Sequence, residues 1–249
     1  MDIQVSQKLI DLNHQFYQTF SASFSSTRFS VQPGVKKIIN EYIQTTKDGS
    51  PCSILDIGCG NGELARYLGK INFLGKYIGL DSSTSLLSYT GHMPEAAMFL
   101  PVFLERDITG PDWVIDLPIP TFDMILSFAV LHHIPGCDLR KKILLSIRNL
   151  VSANGCFIHS QWQFINSPRL IKRITPWETI GLSPSQLEPG DSLLDWRAET
   201  DRNGYRYVHL FTEQELAGYA KETGFEIIDS YFSDGKEGNL ALYQVWKPI

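Results

Sequence analysis

Residues 54–62 read Ile-Leu-Asp-Ile-Gly-Cys-Gly-Asn-Gly. An apolar run enters three glycines at alternate positions, Gly58, Gly60 and Gly62, and a helical pattern through Leu64, Ala65, Tyr67 and Leu68 follows at once. Glycine has no Cβ, so a strand–turn–helix of this kind lets a ligand lie against the backbone at a helix N-terminus. Outward from this stretch, strand and helix patterns alternate. Strands are expected near 53–57, 77–80, 98–104, 122–127 and 155–161, with helices near 62–70, 83–90 and 138–150. Such alternation argues an α/β fold with a parallel sheet and helices on both faces.

Two ligands compete for the glycine turn, and a third possibility is a turn that binds nothing. A dinucleotide site has the pattern G-x-G-x-x-G, with the pyrophosphate at the helix N-terminus. Here the third glycine comes one position early and Glu63 stands in the slot that pattern reserves for glycine. A carboxylate there opposes a pyrophosphate and suits S-adenosylmethionine, which carries a sulfonium, an ammonium and no phosphate. Tyr77-Ile78-Gly79-Leu80 then reads as a second strand ending in Asp81. An acidic residue about 20 positions past the glycines can accept from two ribose hydroxyls, a device both cofactors share.

At 249 residues with 43% apolar side chains, the chain suits one domain with an ordinary core. No apolar run reaches the roughly 18 residues of a membrane helix, and Met1–Ser6 lacks the pattern of a signal peptide. Cys52, Cys59, Cys137 and Cys156 form neither a C-x-x-C pair nor a zinc spacing, which predicts reduced thiols and a cytoplasmic protein. The net charge of −5 opposes a generally basic nucleic-acid binder but leaves room for a local basic patch.

Before the glycine stretch, Val5, Leu9, Leu12, Phe16 and Phe20 recur at helical spacing. A serine-rich segment spans 21–30, a second helix opens after Pro33, and Lys47–Pro51 reads as a turn. Residues 164–205, with Pro168, Pro176, Pro184 and Pro189, read as irregular and too long for an ordinary connection. Thr212 and Glu215 form a capping box, and Gly224 stops the helix they open. Strands at 225–232 and 240–246, separated by a turn from Gly235 to Gly238, suggest a hairpin.

The string Leu55-Asp56-x-Gly58-Cys59-Gly60-x-Gly62 resembles the class I S-adenosylmethionine-dependent methyltransferases. That resemblance implies a Rossmann-like fold: a mostly parallel seven-stranded sheet, an antiparallel C-terminal hairpin and an N-terminal helical cap. The chain then divides as one domain into a cap (1–50), a cofactor core (51–163), an irregular substrate-side insertion (164–211) and a final helix with hairpin (212–249). The implied cofactor residues are Tyr17, Arg28, Asp56, Gly58, Gly60, Asn61, Gly62, Asp81, Ser82, Asp107, Ile108, Phe128 and Ala129. Asp107 would accept the adenine amino group, or else merely cap a turn. His132-His133 follows the fourth strand. Adjacent histidines seldom chelate one ion, and no metal is expected.

Four further pieces narrow the resemblance: Phe16-Tyr17-Gln18 with Phe24-Ser25-Ser26-Thr27-Arg28; Ala129–His133; Gly190–Trp196; and Tyr205-Arg206-Tyr207-Val208-His209-Leu210-Phe211. Together they resemble the methyltransferases that esterify 5-carboxymethyluridine at the tRNA wobble position. The resemblance implies that Tyr17 and Arg28 close over the methionine end of the cofactor. It implies that Arg206, Tyr207 and His209, with Arg28, form the catalytic group. His132, Trp162, Trp196, Tyr205 and Arg206 would contact substrate. Packing is the alternative for Tyr207 and Trp196, and a surface ion pair for Arg28. Departures occur at Val31-Gln32-Pro33 and at Leu240, where that family has Pro-Trp-Pro and a tryptophan.

A carboxylate acceptor is already ionised at pH 7, with a pKa of about 4. It needs alignment, exclusion of water and a cation, not a general base. Arg169, Lys172, Arg173, Arg197, Arg202 and Arg206 cluster in and beside the irregular segment and suit a tRNA backbone. The alternatives are a small-molecule carboxylate or other metabolite as acceptor, and a non-catalytic cofactor-binding subunit. Eukaryotic relatives use a small activating protein subunit, which the resemblance leaves open here.

Overall fold

The computed structural model describes residues 1–26, 30–43, 52–91, 93–94, 97–197 and 203–249. The expected turn at Lys47–Pro51 and Arg28 lie outside these residues. The glycine stretch folds as its pattern predicts. Strand β1 (Cys52–Ile57) is buried along its whole length. It pairs in parallel with β2 (Gly75–Asp81) on one side and β4 (Phe122–Phe128) on the other. A strand covered on both faces reads as mostly apolar, and here Asp56 breaks the run at the end that meets the cleft. Side chains alternate: Leu55 and Ile57 join Ile125, Phe157 and Trp246 on one face. Ile54 meets Ile38, Leu68 and Ile158 on the other.

The sheet has seven strands in the order β3-β2-β1-β4-β5-β10-β9. Its remaining members are β3 (Val102–Glu105), β5 (Val151–Trp162), β9 (Phe225–Ser233) and β10 (Ala241–Pro248). The expected C-terminal hairpin is present: β10 runs antiparallel to both β5 and β9. Asp234, Gly235 and Gly238 supply the positive φ values of its turn.

Two elements are shorter than their sequence pattern. Strand β3 starts at Val102, not at 98, because Pro101 has no N–H to give a ladder. The helix expected over 83–90 is one turn, α5 (Thr84–Leu87), capped by the Ser83 hydroxyl. The helices α4 (Glu63–Lys70) and α6 (Cys137–Leu150) match expectation. Helix α8 (Glu213–Glu222) is capped by Thr212, whose Oγ1 accepts the Glu215 N–H at 3.1 Å. The other half of the expected capping box is not formed, since the Glu215 carboxylate bonds His209 instead.

The segment 164–211 is not irregular. It holds a second, antiparallel sheet of β6 (Ile174–Thr175), β7 (Asp191–Arg197) and β8 (Asn203–His209). Its prolines do not break structure: Pro168 opens the short helix α7 (Pro168–Ile171) and Pro184 opens a 3-10 turn. At the first position of a helix the missing N–H costs nothing.

Two of the three N-terminal helices pack on strands made late in the chain. Helix α1 (Ile3–Thr19) lies on β8, where Asn13 imitates a neighbouring strand. Its Oδ1 accepts the Tyr207 N–H at 2.8 Å and its Nδ2 donates to the Tyr207 carbonyl at 3.2 Å. After the short α2 (Ser21–Ser25), α3 (Pro33–Ile43) docks on the hairpin. The Gly34 N–H donates to Asp234, and the Tyr231 hydroxyl donates to the Gly34 carbonyl. Among the described residues no helix is long and apolar enough to cross a membrane.

Candidate active site

A cleft of about 1110 Å³ opens beyond the carboxyl ends of β1, β2 and β4, with α1 on its opposite side. This is the switch point of strand order, where ligands of open α/β sheets bind. The glycine turn forms one wall. Gly58, Gly60 and Gly62 have φ of 72°, 57° and 77°, in the left-handed region that favours glycine. Their roles differ. A Cβ on Gly58 would sit 2.3 Å from Val130, whereas a Cβ on Gly60 would meet nothing within 4 Å. Gly60 therefore offers bare backbone to the cleft. Gly62 does not line it; it is the N-cap of α4 and sits against Thr90 and Phe103.

Two carboxylates follow along the sheet. Asp81 is held by its own loop: Oδ2 accepts the Gly60 N–H at 2.8 Å and Oδ1 the Ser83 N–H at 2.9 Å. Burial raises its pKa against these hydrogen bonds. Asp56 accepts the Tyr77 hydroxyl at 2.5 Å. Burial pushes its pKa up to about 7, with Tyr77 opposing the rise. Beyond β3, Asp107 Oδ1 accepts both the N–H and the hydroxyl of Thr109. Its Oδ2 lies 3.5 Å from Nε2 of His14 on α1. Burial raises the Asp107 pKa, but hydrogen bonds from His14 and Thr109 outweigh it and the net direction is down. Tyr17, Asn61, Ser82, Ile108, Phe128 and Ala129 also line the cleft, and Ala129 has φ of 59°.

These residues fit S-adenosylmethionine: open backbone at Gly60, an acceptor carboxylate beside it, and a second carboxylate at Asp56. Glu63 at the helix mouth argues less than its sequence position implies. Arg66 pairs with it at 2.9 Å, so its charge is largely answered. The glycine spacing and the buried carboxylate of Asp56 carry the distinction.

The opposite end of the cleft is built around Arg206 on β8, which is 5% exposed. Its guanidinium carbon stands 4.7 Å from the Trp162 ring, 5.3 Å from Phe16 and 5.4 Å from Trp196. Cations are attracted to such ring faces, more so when desolvated. Arg206, Trp162, Trp196 and His132 all line the cleft. Arg169 and Arg173 line it nearby, and Arg173 lies 3.7 Å from Asp195. Arg202 and the Arg197 side chain fall outside the described set.

The structure separates the expected catalytic group. A strand turns successive side chains to opposite faces, so Arg206 enters the cleft while Tyr205, Tyr207 and His209 do not line it. Tyr207 and His209 are instead buried in an ionic network. The Tyr207 hydroxyl donates to Asp191 at 2.7 Å. His209 bonds Asp191 through Nδ1 at 2.7 Å and Glu215 through Nε2 at 3.0 Å. Arg140 on α6 binds Glu188 at 2.6 Å and the Tyr219 hydroxyl at 3.0 Å, with Glu215 at 3.7 Å. Glu188, Asp191 and His209 place possible metal-donor atoms within 4.8 Å of one another. Both His209 nitrogens and the Glu188 carboxylate are already engaged by protein groups, so this is a lock between the small sheet and α6 and α8. Arg140, Glu188 and Asp191 have no local sequence signal, since their partners lie far along the chain. His14 and Asn13 sit at helical spacing from Phe16 and Tyr17, a signal that was available.

Residues 30–230 match a family model described as the methyltransferase domain. A protein of Encephalitozoon cuniculi, whose name records a methyltransferase and no substrate, is 26% identical over 87% of this chain and 88% of its own. The tRNA (carboxymethyluridine(34)-5-O)-methyltransferase of Schizosaccharomyces pombe is 24% identical over 92% of this chain and 93% of its own. A crystal structure of a SAM-dependent methyltransferase from Methanosarcina mazei superposes with a TM-score of 0.64. It is 19% identical and covers 88% of this chain and 99% of its own. The chain belongs to the methyltransferase domain family, in its S-adenosylmethionine-dependent class.

Proposed function

We propose that this methyltransferase esterifies a carboxylate, namely that of 5-carboxymethyluridine at the wobble position of tRNA. The observation that carries the reading is Arg206, a cation held among three aromatic rings at the end of the cofactor cleft. S-adenosylmethionine supplies an electrophilic methyl on its sulfonium. Arg206 fixes and orients the acceptor carboxylate, and the surrounding rings exclude water and offer a stacking face to a base. The acceptor needs no deprotonation, and His132 is placed accordingly. Its Nδ1 accepts the Trp162 N–H at 3.3 Å, so the neutral ring carries its proton on Nε2 and is a poor base there.

The wobble-uridine substrate rests on the pombe relative and on Arg169, Lys172 and Arg173, which follow one another along α7 and its end. Each phosphate neutralised adds close to one unit to the slope of log affinity against log salt. Three contacts give a slope of about −2 to −3 for a tRNA anticodon stem–loop. Mass spectrometry of tRNA nucleosides from a deletion strain checks the reaction itself, and an unchanged pool of the methyl ester refutes it. The competing reading is a small-molecule carboxylate. The net charge of −5 and the pairing of Arg173 with Asp195 favour it, and salt-independent turnover of such an acid would establish it.

Asp56 makes cofactor binding pH-dependent. With its pKa raised to about 7 by burial, it is half protonated at neutral pH, and a bound ammonium favours its charged form. The affinity for S-adenosylhomocysteine is expected to fall several-fold between pH 8 and pH 6 by titration calorimetry. Asp56→Asn should be weaker throughout and lose that dependence.

A further inference from the structure

His132 and His133 follow β4 side by side, and their hydrogen bonds fix opposite tautomers. His133 reverses the arrangement of His132. Its Nδ1 lies 3.0 Å from the Tyr207 carbonyl, an oxygen that can only accept. Nδ1 therefore carries the proton, and Nε2 of the neutral ring is an acceptor. The Tyr17 hydroxyl sits 2.8 Å from that Nε2 and so donates to it. A phenol has one hydrogen. With that hydrogen directed at His133, the Tyr17 oxygen can meet a bound molecule only as an acceptor.

Sheet order tells which part of a bound molecule this oxygen meets. Asp107 follows β3 and Asp81 ends β2, whereas His133 follows β4 on the far side of β1. Under the S-adenosylmethionine reading, ribose at Asp81 and adenine near Asp107 leave the amino-acid end on the β4 side. That end carries the ammonium and the sulfonium besides a carboxylate. Cations suit an acceptor oxygen and are opposed by an O–H pointing at them.

The contact is rigidly supported. The His133 carbonyl accepts from Asn13 Nδ2 at 3.0 Å, and the Tyr17 and His133 rings meet edge to face at 5.5 Å. We propose that His133 is a positioning residue that sets the Tyr17 oxygen as an acceptor for the ammonium at the amino-acid end of the donor, while tying it to the strand that carries Arg206. The inference rests on the S-adenosylmethionine reading and adds a residue that the resemblance to known families left without a role.

The test uses three variants of the full chain. In His133→Asn the amide nitrogen stands near the former Nδ1 and keeps the tie to Tyr207, but the shorter side chain does not reach the Tyr17 hydroxyl. In His133→Gln an amide oxygen can replace Nε2 as the acceptor. Tyr17→Phe removes the hydroxyl. S-adenosylhomocysteine and 5′-methylthioadenosine, which lacks the amino-acid end, are titrated into each. A lost hydrogen bond to a charged group corresponds to about tenfold in affinity. His133→Asn and Tyr17→Phe are each expected to weaken S-adenosylhomocysteine about tenfold, and the double variant no more than about twentyfold. His133→Gln should stay within about threefold of the unmodified chain, and 5′-methylthioadenosine within about twofold in all variants. Multiplying losses in the double variant overturn the inference, as does an equal loss of 5′-methylthioadenosine or a full loss in His133→Gln. Absence of S-adenosylhomocysteine binding by the unmodified chain would overturn the cofactor reading itself, a separate outcome.

Discussion

Arg206→Ala is expected to lower kcat/KM by about 10²–10³ while S-adenosylhomocysteine affinity stays within about twofold. The guanidinium is buried against three rings, where its field is screened less than in water. In the proposed reading it acts on the acceptor, whereas the cofactor contacts lie on the glycine turn, Asp56, Asp81 and Tyr17. Arg206→Lys keeps the charge but not the planar group that stacks on Trp162, and about tenfold loss is expected. Steady-state kinetics with calorimetry on the same preparations separate the two effects. Unchanged turnover would remove Arg206 from the acceptor site, and a parallel loss of cofactor affinity would make it a cofactor residue.

The largest effect on stability is expected at Arg140. Its side chain is 1% exposed and bonds Glu188 and the Tyr219 hydroxyl, beside Glu215. Removing one member of a buried ionic network leaves the others uncompensated and costs about 3–5 kcal/mol. For Arg140→Met this corresponds to a fall in Tm on the order of 10 °C in a chain of this size. A change of under about 2 °C by scanning calorimetry would show that the network adds no stability. His209 adds a pH signature. Burial lowers its pKa, but hydrogen bonds to Asp191 and Glu215 outweigh it and the net direction is up from 6.5. A raised histidine contributes stability that is complete below its unfolded value and is lost as pH rises through the folded one. For Glu188 burial raises the pKa, but the Cys137 N–H and Arg140 outweigh it, so its direction is down. Its contribution is present above the unfolded value and is lost as pH falls through the folded one. The stability of the lock therefore peaks between the two, and His209→Gln should flatten the alkaline side.

The core was legible in the sequence because β1, β2 and β4 are buried on both faces and so read as short, mostly apolar runs around Ile54-Leu55, Tyr77–Leu80 and Met124–Leu126. The small sheet was not. Its strands are short and its prolines, read as breakers, open helical turns. Resemblance named Arg206, Tyr207 and His209 together, but a strand cannot turn consecutive side chains to one face. Alternation alone separates Arg206 from its two neighbours. Arg140 shows the opposite limit. Helical spacing places an arginine on α6, but Glu188 and Tyr219, 48 and 79 positions away, decide its burial. On the cofactor side, spacing predicted that Asp81 and the glycines lie together. Only the backbone shows that Gly60 faces the cleft and Gly62 does not.

Asn13 meets Tyr207 across 194 positions, and Gly34 meets Asp234 across 200. A ribosome delivers α1 and α3 well before the strands that receive them. Until β8 emerges, the apolar face of α1, with Val5, Leu9 and Phe16, lacks the strand it packs on. Contacts this distant in sequence form slowly, and uncovered apolar faces attract wrong partners meanwhile. The nascent chain therefore carries its glycine turn without a roof over the cleft until β8 has emerged. The cleft is complete only once β8, which carries Arg206, has followed the core strands.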